Sequence, residues 1–323
     1  MRIGFTYDLR DDYLREGYTA EQTAEFDAIE TIDALDAALV SLGHTVDRIG
    51  GVKSLNARLA AGDRWDLVFN YAEGMFGFAR EAQVPSLLDA FQIPYTLSDG
   101  LVFALTLHKG LTKHVVRSLG IRTPDFAVVS SPADAAAVRL PFPLFVKPVA
   151  SGSSVGVSAA SHVATASSLE DTCRMLLDKY RQPAIVEAFL PGREFTVGII
   201  GTGDRARVIG VLEVTLTGNA EAYGYSYDNK KQVNARYRIA NDAPASEAAD
   251  IALRAWQGLG CRDLGRIDCR CDAEGRPHFL EVNPLPGLHP VLGDIVILAD
   301  FAGISYTQLV ESVIASASER IAR

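Results

Sequence analysis

The sequence predicts a mixed α/β and α+β protein of three domains, and three observations lead to this prediction. Apolar strands and amphipathic helices alternate through residues 1–105, which is typical of a parallel α/β domain. Residues 106–190 combine a helix with short strands and a Gly/Ser-rich loop, which indicates a small central α+β domain. Residues 191–323 hold further strands, a hairpin and two helices, which indicates a C-terminal α+β domain.

In the N-terminal domain, apolar runs predict strands, and helical spacing predicts the helices between them. Ile29, Ile32 and Leu35 recur at helical spacing, and Gly43 is a natural helix end. Residues 10–24 are polar and irregular. The predicted elements are a strand at 2–9, a helix at 25–42, a strand at 45–49, a helix at 55–60, a strand at 65–70 and a helix at 80–91.

The same reasoning gives the elements of the other two domains. A predicted helix from Thr106 to Gly120 carries Lys109 and Lys113 on polar positions. The segment 121–124, which ends in a proline, terminates this helix. The other predicted elements are strands at 126–129, 144–149, 184–188, 195–200 and 207–216, a helix within 161–180, and helices at 246–259 and 306–317.

The composition, 48% hydrophobic and 22% charged, is that of an ordinary globular protein. A net charge of −9 argues against broad nucleic-acid binding, so a few placed cations must meet any polyanion. No apolar run reaches the roughly 18–20 residues of a membrane span, and the chain starts in a strand rather than a signal peptide. The four cysteines form no CxxC pair and are expected to be reduced core thiols. We therefore expect a cytoplasmic protein with no nucleic-acid or membrane partner.

The stretch over residues 265–287 predicts a β-hairpin that carries much of the chemistry. Its two strands meet at a Glu-Gly turn, which places residues whose numbers sum to about 549 opposite each other. Asp268 then lies beside Glu281, and Arg266 lies beside Asn283. Since side chains alternate along a strand, all four share one face.

The acidic pair of this hairpin predicts a cation site. Like charges directly opposite each other destabilise a sheet, because their Cβ atoms lie only about 4.5–5.5 Å apart. Asp268 and Glu281, with the Asn283 side chain, offer hard oxygen ligands that suit Mg²⁺, which usually binds together with substrate phosphates. A solvent-facing hairpin with solvated charges is the alternative.

A Gly/Ser-rich loop follows a strand that ends in a single lysine, Lys147. Residues 151–156 can bring backbone N–H groups and hydroxyls close to phosphate oxygens. The loop is not a Walker A loop, because no GK[ST] sequence follows it and no helix begins there. Taken alone, a flexible hairpin turn explains it equally well.

A third motif is an apolar strand that leads into a connector with two carboxylates, Glu187 and Glu194. The backbone of such a connector can pair with the edge of a purine, and a carboxylate further along can hold ribose hydroxyls. An interdomain linker with solvated acids is the alternative.

Together and in this order, these motifs resemble the ATP-grasp superfamily, and most closely its D-alanine–D-alanine ligases. The resemblance covers nearly the whole chain and implies the three-domain ATP-grasp fold, with the central domain as a lid. The motifs that carry it are Val146-Lys147-Pro148, Gly152 to Gly156, Glu187 to Val197, Leu264 to Asp268, Glu281-Val282-Asn283, Pro286-Gly287, Pro94-Tyr95-Thr96 and Ala104 to Lys109.

The resemblance implies a binding site for ATP. Two lysines would hold the phosphates. The Gly/Ser-rich loop over residues 151–156, called the serine loop below, would close over the γ-phosphate. A glutamate would bind the adenine amino group, the following backbone would meet the ring edge, and a second glutamate would bind the ribose. The residues concerned are Lys109, Lys147, Ser153, Ser154, Glu187, Phe189, Leu190 and Glu194.

The resemblance also implies a catalytic and metal-binding set. Arg266 would stabilise the charged tetrahedral intermediate, and Ser153 would act from the closing loop. Lys230, in a loop from Tyr223 to Tyr237, would contact the γ-phosphate. Two Mg²⁺ ions would be held by Asp268, Glu281 and Asn283.

The sequence departs from the family at the amino-acid sites and not at the ATP or metal sites. The family's N-terminal Glu, which holds the first substrate's ammonium, has no direct counterpart, and Glu25 or Asp27 is expected to replace it. The family's His after the third strand is also absent, and Glu73 lies in that segment. No Ser-Leu pair follows Gly287, so Gly287 and His289 are expected near the second amino acid.

The resemblance predicts an ATP-dependent carboxylate–amine ligase that joins two amino acids through an acyl phosphate and releases ADP and phosphate. D-Alanine–D-alanine ligation is the first expectation, and a homodimer is expected. One alternative is an amino-acid ligase of a specialised-metabolite pathway with another acceptor. The other is a non-catalytic ATP-binding regulatory module, which would have no need for the oxyanion-stabilising Arg266.

Overall fold

The computed structural model describes residues 1–216 and 235–321. None of the helices in these two ranges has the length and apolarity to cross a membrane. The strands are β1 (Arg2–Tyr7), β2 (Thr45–Arg48), β3 (Leu67–Tyr71), β4 (Phe126–Val129), β5 (Leu144–Pro148), β6 (His162–Val163), β7 (Ala184–Ala188), β8 (Glu194–Ile200), β9 (Arg207–Leu216), β10 (Ala235–Ile239), β11 (Leu264–Cys271) and β12 (Pro277–Asn283). The α-helices are α1 (Arg10–Arg15), α2 (Ile29–Ser41), α3 (Val52–Ala60), α4 (Gln83–Ala90), α5 (Gly100–Leu107), α6 (Lys109–Ser118), α7 (Pro132–Ala137), α8 (Ala166–Tyr180), α9 (Ala243–Leu259), α10 (Asp294–Phe301) and α11 (Tyr306–Ile321).

The strands form three sheets, and each sheet lies within one of the three predicted domains. The N-terminal sheet is parallel, in the order β2-β1-β3. The central sheet is antiparallel, in the order β4-β7-β5-β6. The C-terminal sheet is antiparallel, in the order β10-β9-β8-β11-β12. The predicted fold class is confirmed, and the domain boundaries stay a prediction.

The first helix of the N-terminal domain is shorter than the sequence predicts. Helix α2 begins at Ile29 rather than Glu25, because Ala28 has an extended backbone and acts as its N-cap. Glu25 and Asp27 therefore lie in the connection before the helix. Part of the segment predicted to be irregular forms the short helix α1.

The helix predicted from Thr106 to Gly120 is divided in two at His108. The backbone of His108 leaves the helical region, at φ −89° and ψ 90°, and its side chain accepts a hydrogen bond from the Leu111 N–H. Lys109 becomes the first residue of α6, and its own N–H donates to the Val149 carbonyl oxygen at 3.0 Å. This break holds Lys109 beside the loop that follows β5.

The C-terminal sheet is covered by α9 on one face and partly by α10 on the other. Trp256 of α9 packs with Ile267, Cys269 and Phe279, the buried side of the hairpin. The opposite face carries Arg266 and the other polar hairpin side chains, beside the area that α10 covers. A second core joins the N-terminal sheet and α2 to α10 and α11, so the first and last parts of the chain pack together.

The predicted register of the hairpin holds only for its inner half. Asp268 pairs with Glu281 and Arg266 pairs with Asn283, as predicted. A β-bulge after Asp268 then shifts the pairing by one residue, so Cys269 lies opposite Phe279. Strict alternation would place Leu280 and Glu281 on opposite faces, but at the bulge both residues line the same pocket.

Gly265 lies where β11 approaches both α9 and β12 too closely for a side chain. A Cβ at this position would lie 2.6 Å from the Asn283 carbonyl oxygen and 2.5 Å from the Trp256 ring. We expect Gly265→Ala to lower the free energy of unfolding by about 1–3 kcal/mol through overpacking. Denaturant titration measures this change. Gly287→Ala is the matched control, since a Cβ there meets no atom within 4 Å, and equal stability of the two variants would contradict the prediction.

Candidate active site

Two connected pockets lie where the three sheets meet. The narrow pocket, of about 810 Å³, lies between the central sheet and the C-terminal hairpin. The wide pocket, of about 2070 Å³, lies between the N-terminal domain and the same hairpin. The two share Lys109, Ser151 and Glu281, so they join at these residues.

A row of alternating charges lines the join and continues into the core. Lys113 Nζ lies 2.6 Å from one Glu187 carboxylate oxygen, and Lys147 Nζ lies 3.2 Å from the other. Lys147 Nζ also lies 3.4 Å from Glu281, and Lys109 Nζ lies 3.7 Å from the same Glu281 oxygen. We call these five residues the charge row. It presents two ammonium groups to the pockets while each carboxylate in it is neutralised.

Lys113 is the member of the charge row that sequence reasoning did not assign to the site. Its side chain is fully buried and also donates to Thr123 Oγ1 at 2.8 Å. Burial alone would raise the pKa of Glu187, but Lys113 and Lys147 outweigh it and hold that pKa below its ordinary value. The sequence feature that could have indicated Lys113 is its spacing of four residues from Lys109, because residues four apart lie on the same face of a helix.

Arg266, Asp268 and Asn283 form a compact polar group on the hairpin. Asp268 accepts hydrogen bonds from the Arg266 guanidinium and from the Asn283 amide at 3.3 Å. Its other oxygen accepts from Thr196 Oγ1 at 2.9 Å. Burial alone would lower the pKa of Arg266. The attraction of Asp268 and of nearby carboxylates outweighs burial and raises that pKa above its ordinary value. The guanidinium therefore stays charged at the wall of the wide pocket.

The predicted magnesium ligands fit a metal that is shared with phosphates. Asp268, Glu281 and Asn283 offer oxygen ligands from two neighbouring strands. Within the two described ranges, no group of three or more His, Cys, Asp or Glu side chains could hold a metal by itself. Mg²⁺ commonly binds through one or two carboxylates and completes its coordination with substrate phosphates and water, which matches two carboxylates and one amide.

The serine loop separates the two pockets. Ser154 lines the narrow pocket, and Ser153 lines the wide one. Both have a left-handed backbone, at φ +58° and +46°, which costs roughly 1–3 kcal/mol per non-glycine residue. Gly156 is also left-handed, and a Cβ there would lie 2.5 Å from the Pro148 ring. The loop is thus a strained turn that holds two hydroxyl-bearing residues on opposite sides.

The far end of the narrow pocket contains the residues predicted for the adenosine part. Phe189, Leu190 and Glu194 all line it, together with Arg270. The Arg270 guanidinium lies 5.2 Å from the centre of the Phe189 ring and donates to Glu194 at 3.4 Å. The Phe189 N–H donates to the Pro143 carbonyl oxygen at 3.1 Å. Contact of the Phe189-Leu190 backbone with a ring edge stays a prediction.

The N-terminal acids reach the wide pocket in different ways. Glu25 accepts from the Gly152 N–H and from Arg80, both at 2.6 Å, so it ties the serine loop to the N-terminal domain. Asp27 accepts weakly from the Tyr71 hydroxyl at 3.5 Å, and burial raises its pKa to about 7. Glu73 also lines this pocket. All three predicted substrate residues of the N-terminal domain thus lie in one pocket.

The other end of the wide pocket is formed by the turn after the hairpin. Gly287 and His289 line it, as predicted. His289 Nδ1 accepts from the N–H groups of Val291 and Leu292, both at 3.2 Å, so one ring nitrogen has a structural role. Lys230, with most of its predicted loop, lies outside the described residues.

Comparison with known proteins identifies the family of this chain. Residues 115–315 match the family model for the D-ala D-ala ligase C-terminus. The chain is 33% identical over 291 residues to D-alanine–D-alanine ligase of Bordetella petrii, which covers 88% of this chain and 85% of that protein. It is also 33% identical to D-alanine–D-alanine ligase of Aquifex aeolicus, over 89% of this chain and 94% of that protein.

The fold agrees with a solved structure of the same kind. A crystal structure of D-alanine–D-alanine ligase from Bacillus anthracis complexed with ATP superposes with a TM-score of 0.75 at 21% identity. The superposition covers 99% of this chain and 98% of that one. The family model, the relatives and the pocket geometry lead to one conclusion: this chain belongs to the D-alanine–D-alanine ligase family of ATP-grasp enzymes.

Proposed function

We propose that this protein is an ATP-dependent ligase that joins two amino acids through a peptide bond, with D-alanine as the first candidate for both. The observation that carries the proposal is the join of the two pockets at the charge row. A narrow pocket opens there into a wider one, and the ammonium groups of Lys109 and Lys147 lie beside the opening. Such an arrangement suits transfer of a phosphoryl group from one pocket to a substrate in the other.

ATP would occupy the narrow pocket with its adenine near Leu190 and its ribose near Glu194. Glu187 would accept a hydrogen bond from the adenine amino group, since its carboxylate is held ionised by two lysines. Lys109 and Lys147 would bind the phosphates. What supports this order is that the narrow pocket runs from Leu190 at one end to Lys109 at the other.

Asp268, Glu281 and Asn283 would hold the two expected Mg²⁺ ions against the phosphates. Bound there, Mg²⁺ would neutralise charge on the transferring phosphoryl group and keep it in line with its acceptor. Glu281 is suited to this task because it lies between Lys109 and Lys147, at the join of the pockets.

The reaction would then proceed in two balanced steps. A carboxylate oxygen of the first amino acid bonds to the γ-phosphorus while the bond to the bridging oxygen of ADP breaks, which gives an acyl phosphate. The amine of the second amino acid, in its neutral form, attacks the acyl carbon. Its proton is released and the bond to phosphate breaks, which leaves a peptide bond and inorganic phosphate.

The residues at the join would stabilise the charge that develops in both steps. Arg266 would face the oxyanion of the tetrahedral intermediate, and its raised pKa keeps it a cation. The serine loop would exclude water, because the acyl phosphate hydrolyses readily. Glu25 supports this role, since it fixes Gly152 at the base of the loop.

The amino-acid substrates are the least constrained part of the proposal. Glu25 and Asp27 would face the first amino acid, with Glu73 nearby, and Gly287 and His289 would face the second. The names of the relatives favour D-alanine at both positions. A specialised-metabolite ligase with another acceptor is the second candidate, because His289 and Leu288 follow Gly287 where the family has a Ser-Leu pair. We also expect a homodimer in the cytoplasm, which sedimentation velocity and cell fractionation would test.

The proposal predicts ATP consumption that depends on amino acids. Purified protein with ATP and Mg²⁺ should release ADP and phosphate in equal amounts only when suitable amino acids are present. A panel of D- and L-amino acids, singly and in pairs, would be screened for phosphate and for dipeptide by mass. If the protein binds ATP but none of the tested pairs gives turnover, the ligase function is contradicted and the regulatory module is favoured.

Glu281→Gln should separate the chemistry from the fold. The change is nearly isosteric but removes a charged ligand, so we expect turnover to fall by about 100-fold or more. The unfolding midpoint should change little, and added Mg²⁺ should restore part of the activity. Chelation with EDTA should abolish the wild-type activity. Glu274→Gln, on the exposed hairpin turn, is the matched control, and wild-type rates for Glu281→Gln would remove Glu281 from the metal set.

A further inference from the structure

The N-terminal end of the wide pocket holds more carboxyl groups than one amino-acid ammonium can pair with. Four carboxylates line it, and we call this part the acidic end: Glu25, Asp27, Glu73 and Glu81. They come from the connection before α2 and from the segment between β3 and α4. Sequence reasoning did not single out Glu81.

Only Glu25 among these four acids forms a close ion pair with a nearby arginine, although Arg80 also attracts Glu73 and Glu81 at longer range. Arg80 pairs with Glu25 at 2.6 Å and donates to the Ala150 carbonyl oxygen at 3.1 Å. Arg10 instead donates to backbone carbonyl oxygens, among them those of Thr23 and Phe26. Neither guanidinium forms an ion pair with the remaining three acids, which are Asp27, Glu73 and Glu81.

Glu81 is the most buried of the three acids that lack an ion pair. Its side chain is nine-tenths buried, at 9% exposure, and it lines the pocket. Among the residues that the structure describes, it forms neither a hydrogen bond nor an ion pair. Burial and then the field of Glu25 raise its pKa to about 7, although Arg80 and Lys109 act against this rise. A buried carboxyl group without a partner is costly and is seldom kept without a reason.

A charge balance then indicates what the pocket accepts. An amino acid with a neutral side chain brings one ammonium group, which one carboxylate such as Asp27 balances. Its own carboxylate belongs at the opposite side, near Arg266 and Lys109, where phosphate is transferred. Glu73 and Glu81 would remain without an ion-pair partner. A second cation on the substrate removes this imbalance.

We propose that the amino acid bound at the acidic end carries a cationic side chain, an ammonium or a guanidinium, which Glu73 and Glu81 bind. The inference rests on the proposed ligase function and assigns the substrate class of that same site, where it replaces D-alanine as the first candidate. The wide pocket, with about 2070 Å³ of open space, has room for a side chain of lysine or arginine length. Charge complementarity of this kind gives specificity as well as affinity.

The wild-type test compares charged and neutral amino acids of similar shape. D- and L-lysine, ornithine and arginine would be compared with D- and L-norleucine and with D-alanine, each with ATP and Mg²⁺. We expect at least one cationic amino acid to support phosphate release with a kcat/KM at least tenfold above that of the neutral amino acid of similar length. The same amino acid should bind at least tenfold more tightly in calorimetry of the nucleotide-bound protein.

Glu81→Gln and Glu73→Gln test the residues. Each should raise the KM and the dissociation constant for the cationic amino acid at least tenfold. For Glu81→Gln, the effect on a neutral amino acid should stay below twofold. Glu30→Gln, an exposed acid on α2, is the matched control for the loss of one charge. Without amino acid, Glu81→Gln should be as stable as the wild type or more stable. A merely structural Glu81 would instead give a destabilised variant with equal effects on both substrates.

The two proposals fail in different ways. If D-alanine supports turnover and no cationic amino acid binds or reacts better, the inference is wrong and the ligase function stands. If no pair of amino acids releases phosphate, the ligase function is wrong, and the calorimetric comparison of lysine with norleucine still decides whether the acidic end selects a cation.

Discussion

The site depends on the pairing of buried charges between the central domain and the C-terminal hairpin. Lys113 and Glu187 are almost completely buried, and such ions persist only when each has a partner. Lys147 continues the pairing to Glu281, and Lys109 completes it at the open end. Helix α6, strands β5 and β7 and strand β12 are therefore held in one arrangement by electrostatics. Removing Glu187 would leave Lys113 as an uncompensated charge in the core.

The part of the site that the sequence predicts is the part that local periodicity determines. Strand alternation alone places Asp268 opposite Glu281 and Arg266 opposite Asn283, and the structure has both pairs. Periodicity does not reveal the bulge that turns Leu280 into the pocket, because one extra residue leaves the composition of both strands unchanged. It equally misses the break at His108, since helix-compatible residues continue across it.

Contacts between distant segments are the part that the residues alone do not predict. Glu25 and Gly152 are 127 positions apart, and neither has a local feature that indicates the other. Lys113 is an ordinary polar position of an amphipathic helix until the fold places Glu187 against it. The resemblance to the ligases supplied roles for the nucleotide side. It supplied least for the amino-acid side, where this sequence departs from the family pattern and where Glu81 lies.

The contact of Glu25 with Gly152 and Arg80 has a consequence for movement of the central domain. Arg80 also donates to the Ala150 carbonyl oxygen, so two loops from different domains are joined at this rim by polar bonds. Separation of these loops would replace the polar bonds with hydrogen bonds to water and would expose little apolar surface. The heat-capacity change of the motion would therefore be small. Its equilibrium would then respond to ionic strength more than to temperature.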